Sequence, residues 1–177
     1  MKQLTVFCMV VCVFISQSYA DEAHFASEAK LKAIYLVHIS KLTTWPVVEK
    51  NTDSFSICID KTSEISTLLT EIVGRTVKNK KLKLEHDLTE ESLIACDVYY
   101  VTASDYPIFK RFKSQLESHA VLTVSSEKGF SRDEGGIVEY YIAEEVKKVK
   151  MRVNLQNMRN SQLNISSKLL RLMDTGS

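Results

Sequence analysis

Apolar positions along the chain fall into short blocks with two different periods. Through residues 24–44, Leu31, Ile34, Tyr35, His38, Leu42 and Trp45 recur at helical spacing, and Ala29, Ala33 and Leu36 widen the stripe. This predicts a helix with His38 on its buried side. It ends at Trp45-Pro46, because the residue before a proline is driven out of the α region. Residues 62–73 repeat the helical period with Ile65, Leu68, Leu69 and Ile72, and Gly74 suits the position just past the end. A third helix is predicted over 105–116, with Ile108, Phe109, Phe112 and Leu116 inward and Ser104 as its N-cap. Met158, Gln162, Ile165, Leu169, Leu172 and Met173 trace a C-terminal helix.

Between these blocks the pattern shortens to runs that read as strands: residues 55–59, 81–85, 97–102, 120–124, 137–142 and 149–153. In the last, Val149, Met151 and Val153 face one side and Lys150, Arg152 and Asn154 the other. Strands alternating with helices, followed by two strands around a charged turn, imply an α/β fold. The expectation is a single three-layer sandwich: a mostly parallel sheet with helices on both faces and a C-terminal antiparallel hairpin. No internal repeat or linker interrupts it.

The first residues stand apart. Lys2 precedes an apolar run over residues 4–15, broken only by Thr5, and Ser16-Gln17-Ser18-Tyr19-Ala20 follows with small residues at the spacing of a cleavage site. The run is shorter than the roughly 20 residues that span a bilayer. It is expected to be a signal peptide cut after Ala20, leaving one domain over residues 21–177. Such a simple signal suits a bacterium, and the mature protein is then expected to be soluble and periplasmic.

Removing the signal changes the meaning of the composition. The whole chain has 23 Lys plus Arg, 22 Asp plus Glu and four Cys. The mature chain loses Lys2 and no acid, so its formal charge is zero, which argues against nucleic acid as a partner. It also loses Cys8 and Cys12, so an apparent four-cysteine framework becomes one pair, Cys58 and Cys96. In an oxidising compartment that pair is either a disulfide or two buried thiols. With the strands in simple parallel register, Cys58 lies near one strand's end and Cys96 before another's beginning, which strains the roughly 7 Å limit for a bridge.

Signatures of catalysis are absent: no Gly-x-Ser-x-Gly elbow, no glycine-rich phosphate loop, no Cys-x-x-Cys. The histidines at 24, 38, 86 and 119 lack ligand spacing. His86-Asp87 reads as a solvated strand end, and Asp133-Glu134 as part of a charged loop over residues 125–136. The basic run Lys78, Lys80, Lys81 and Lys83 reads as an edge strand guarded by charge. No catalytic residue, metal or cofactor is expected. Four residues are candidate ligand or partner contacts. Tyr35 lies on a first helix whose apolar positions nearly encircle it, so the helix either meets a second subunit or is buried from two sides. Gly135 and Gly136 permit positive φ or close backbone approach, or form a bulge into the next strand. Arg152 suits an anionic ligand, or is an ordinary exposed strand arginine.

The landmarks resemble the YfiR family of bacterial periplasmic proteins from about Ala29 to Met173. They are Lys32-Ala33-Ile34-Tyr35-Leu36, Trp45-Pro46, Ile57-Cys58-Ile59, Ala95-Cys96-Asp97-Val98, Leu122-Thr123-Val124-Ser125 with Phe130 and Gly135-Gly136-Ile137, Met151-Arg152-Val153-Asn154-Leu155, and residues 165–172. The resemblance implies a non-catalytic repressor. Its partner would be the periplasmic sensor region of an inner-membrane diguanylate cyclase, whose cyclic-di-GMP synthesis, and hence biofilm formation, it holds down. It further implies a homodimer responsive to envelope or redox stress. A small-ligand-binding module serving a transporter or sensor is the alternative, and a small-molecule effector is left open. Cys58 and Cys96 match the positions of a family disulfide. A second, closely spaced cysteine pair found in family members has no counterpart in residues 125–136.

Overall fold

A computed structural model describes residues 28–46 and 53–175. The expected signal segment and residues 24–27 of the helix predicted over 24–44 lie outside them. The protein is mixed α/β. A seven-stranded, mostly parallel sheet is built from β2 (Ser54–Ile59), β3 (Thr76–Val77), β4 (Lys80–Glu85), β5 (Val98–Val101), β6 (Leu122–Ser125), β7 (Val138–Ala143) and β8 (Lys148–Val153). Their spatial order is β3-β4-β2-β5-β6-β7-β8. The five inner strands run parallel, whereas β3 against β4 and β7 against β8 are antiparallel. The helices are α1 (residues 28–42), α2 (Glu64–Thr70), α3 (Glu90–Ala95), α4 (Tyr106–Ser118), α5 (Leu155–Asn160) and α6 (Ser167–Leu170).

Alternating side chains along the strands feed two separate apolar clusters. Phe55, Ile57, Ile59, Val98, Leu122, Val124 and Tyr140 pack with Ala33, Leu36 and Ile39 of α1, Ile65 and Leu69 of α2, and the C-terminal Ile165, Leu169 and Met173. Cys58, Tyr99 and Val101 point the other way, into Leu93 of α3, Phe109 and Leu116 of α4, and Phe130. Parallel neighbours need a crossover of about a dozen residues, usually helical. Here β6 reaches β7 through residues 126–137 without a helix. That connection must therefore bury its own anchor. Phe130 is fully buried, its ring 4.9 Å from that of Phe109.

Several elements differ from the sequence pattern: the first helix ends at 42 and Thr43–Thr44 is a strand, α2 ends at Thr70 rather than 73, and α3 has no counterpart in the pattern. The charged strand β4 is not an edge. Lys78 and Asn79, both at positive φ (53° and 64°), turn the chain so that the short β3 covers it. The third helix starts one residue late, with Asp105 rather than Ser104 as the N-cap. The C-terminal helix is broken in two. Asn154 caps α5 by accepting from the Asn157 N–H, and α5 ends with Gln162 at φ 55°. There the Leu163 N–H bonds the Met158 carbonyl and the Gln162 N–H that of Arg159, the double closure of a Schellman end. The chain then pairs β9 (Asn164–Ile165) antiparallel with β1 (Thr43–Thr44) before Ser166 caps α6. Helical spacing at 158, 162 and 165 is thus overridden by a strand pairing with residues over 100 positions away.

Candidate functional site

The disulfide is formed: Cys58 and Cys96 are joined, with Cα atoms 5.9 Å apart. Ile57 pairs with Val98 and Cys58 with Tyr99, so simple register does offset the two cysteines. The gap closes because Cys96 is not in the strand. It caps the end of α3, whose last turn swings it over β2. Both sulfur-bearing residues are buried, at 0% and 1% exposure, among Leu93, Phe109 and Leu116.

The crossover at residues 126–137 is held by one carboxylate. Glu139, on β7, is 2% exposed. It accepts hydrogen bonds from the Gly129 N–H (3.2 Å), the Ser131 N–H (3.1 Å) and the Ser131 hydroxyl (2.9 Å). Its remaining partner is Arg152, directly across the β7–β8 pair, whose Nη1 lies 3.3 Å away. The same guanidinium donates from Nε to Asp174 at 2.9 Å and sits 4.4 Å from the centre of the Tyr141 ring. Arg152 is therefore a clamp between β7, β8 and the C-terminal segment, with its charge already met. Sequence reasoning missed Glu139. The signal was present: a lone acid in an apolar strand, one of the residue types almost never buried without a partner.

The two glycines divide the roles expected of them. Gly135 adopts φ 79°, whereas at Gly136 a Cβ would come within 2.1 Å of the Phe130 ring. Asn157 donates to the Gly136 carbonyl at 3.3 Å, tying this corner to α5. Glu134 pairs with Lys110 of α4 at 2.9 Å. Neighbouring Asp133 is exposed.

His38 is exposed, not buried as the helical spacing implied. The inward stripe of α1 is Ala29, Ala33, Leu36 and Ser40, and His38 lies off it. His86 donates from Nδ1 to the Ile59 carbonyl at 2.9 Å and is also exposed. Among the described residues, no three His, Cys, Asp or Glu side chains are grouped to hold a metal ion. At the ends of β2 and β5, Thr62 holds the Asp60 carboxyl below its usual range through backbone and hydroxyl bonds. Burial lifts that of Asp105, against the pull of Thr102.

The encircling apolar pattern of α1 resolves into a buried stripe with a cleft on either side. Tyr35 packs 6.4 Å from Tyr140 and lines an open cleft of about 640 Å³ with Tyr141, Val149 and Leu169. Ile34, 45% exposed, and Val37 face Leu68 of α2 and Ile72 of the turn after it across a groove of about 290 Å³, rimmed by Lys30, Lys41 and Glu71. This arrangement offers surfaces for binding.

The YfiR/HmsC-like family model matches residues 29–173. No curated protein matches the chain. Among solved structures, a conserved domain protein from Vibrio cholerae O1 biovar El Tor matches with 11% identity and a TM-score of 0.49. The match covers 80% of this chain and 58% of that one.

Proposed function

Because the chain belongs to the YfiR/HmsC-like family, we propose that it is a periplasmic negative regulator of an inner-membrane diguanylate cyclase. In this reading the protein is not an enzyme. It acts as a homodimer, binds the periplasmic sensor region of the cyclase and represses cyclic-di-GMP synthesis. The observation that supports a binding role is the groove between α1 and α2. Ile34 is a large apolar side chain, 45% exposed, beside Val37, Leu68 and Ile72 in a charged rim. A contiguous apolar strip with a polar border is how interaction surfaces present themselves. Removal of the gene should raise cellular cyclic-di-GMP, and the Ile34→Glu variant should fail to restore repression while retaining the wild-type melting temperature. Unchanged cyclic-di-GMP on deletion, with no cyclase ectodomain co-purifying, would overturn the reading.

A further inference from the structure

The seven-stranded sheet has two edges, and they differ. β3, at one, is two residues long, whereas β8, at the other, runs six residues from Lys148 to Val153. Part of the β8 edge is covered. The Val153 N–H donates to the Asp174 carbonyl at 2.8 Å, and the Asp174 N–H to the Met151 carbonyl at 2.9 Å. Outward-facing backbone groups in a strand alternate, so if those of Met151 and Val153 face this edge, so do those of Val149. Among the described residues no strand or bridge pairs with Val149 on that side. The cleft lined by Tyr35, Tyr141, Val149, Leu169 and Leu172 opens where the C-terminal segment leaves the edge.

We propose that this open stretch of β8 receives an extended segment of a partner protein by strand addition, and that the segment alternates acidic and apolar residues. The alternation follows from the two faces of the edge. Val149 and Met151 point toward α1, where Leu169 and Met173 continue an apolar floor and Leu172 is 73% exposed at its lip. Lys148 and Lys150 occupy the intervening positions and are exposed. Neither is ion-paired among the described residues: nearby Glu144 pairs with Lys147, and Asp174 with Arg152. An added strand places successive side chains on alternate faces. One set meets the apolar floor and the other meets the two lysines. The same lysines repel a second copy of this edge, as basic edge strands commonly do. The proposal concerns the surface and the chemistry of its occupant, and does not depend on the partner being a cyclase.

The test uses the mature chain and a synthetic peptide, acetyl-Glu-Val-Glu-Val-Glu-Val-amide, followed by fluorescence anisotropy and amide hydrogen exchange. The peptide should bind and slow exchange at Val149 and Met151. A Lys-Val peptide and a peptide N-methylated at alternate residues should not. Lys148→Glu with Lys150→Glu should weaken binding by about tenfold. Val149→Pro removes the outward-facing N–H at a position where edge strands tolerate proline, and should abolish the peptide-induced protection at Met151. Equal binding of the Lys-Val or N-methylated peptide, or no binding at all, would overturn the proposal. So would protection of Val149 in the free protein, which would mean that the edge is already filled by this chain or by a second copy.

Discussion

Arg152 and Glu139 stand directly opposite one another on β8 and β7, the guanidinium 3.3 Å from a carboxylate that is 2% exposed and also carries three hydrogen bonds from the preceding crossover. The pair converts a polar loop into a fixed part of the sheet. Removing the carboxylate leaves the Gly129 and Ser131 N–H groups without their acceptor, and a buried donor left unsatisfied costs about 1–3 kcal/mol. Glu139→Ala should lower unfolding stability by about that amount, measured from urea midpoints. It should also release amide protection over residues 129–136 before global unfolding. Arg152→Met should cost less, because the carboxylate keeps its bonds from Gly129 and Ser131.

The Cys58–Cys96 bridge closes a sequence separation of 38 residues. On the chain-entropy account such a loop contributes about 4 kcal/mol. Cys58→Ser with Cys96→Ser should therefore lower stability by up to that figure in chemical denaturation. With both residues at or below 1% exposure, thiolate reductants should leave the folded protein unreduced. Alkylation mass shifts should appear only when urea is present. A full shift without denaturant would show that the bond opens in the native state and would support a redox-sensing role.

Gly135 and Gly136 should respond to alanine for different reasons. At 136 the new methyl group would collide with the buried Phe130 ring, a contact that cannot relax without unpacking Phe109. Over-packing of this kind costs about 1–3 kcal/mol. At 135 the nearest atom is the end of the flexible Lys113 side chain, so the cost there is mainly the strain of φ 79°, about 1 kcal/mol. Coupling Gly136→Ala with Phe130→Leu should recover stability, whereas Gly135→Ala should gain nothing from that second change.

Asp60 and Asp105 should give opposite pH signatures. Burial raises the Asp105 carboxyl, so the folded chain holds that proton after the unfolded chain has released it. Stability from this group is present at low pH and is lost as pH rises from about the ordinary carboxyl value of 3.8 through the raised folded value. Asp105→Asn, which keeps an acceptor for Thr102, should raise the urea midpoint at pH 7, with the gain fading as pH falls through this range. Asp60 is lowered by its bonds from Thr62, so its contribution is present at neutral pH and is lost on acidification. Asp60→Asn should flatten that acid limb. Urea midpoints across pH 3 to 7 for both variants test the two signs.

Much of the architecture is written locally. Residues 55–59 lie within β2, and Ile65 and Leu69 of α2 and Phe109 and Leu116 of α4 face inward as their spacing implies, whereas Leu68 and Ile72 line the groove against α1. Burial on one face imposes a period of 2 or 3.6 on neighbouring residues, and that period is visible without knowing what lies opposite. The succession of strands and helices, and hence a mostly parallel sheet, follows from the same signal.

What no local period carries is which distant residues meet. The Cys96 helix cap, the pairing of Thr43–Thr44 with Asn164–Ile165, and the meeting of Glu139 with Gly129, Ser131 and Arg152 depend on register and loop closure across tens of residues. His38 went astray for the same reason. Helical spacing defines a stripe, but only the packed sheet selects which of several overlapping stripes is buried. The place of β8 at the end of the sheet is likewise a property of strand order. A strand's own residues specify its alternation, whereas its position at the rim is set by every other strand that finds a partner first.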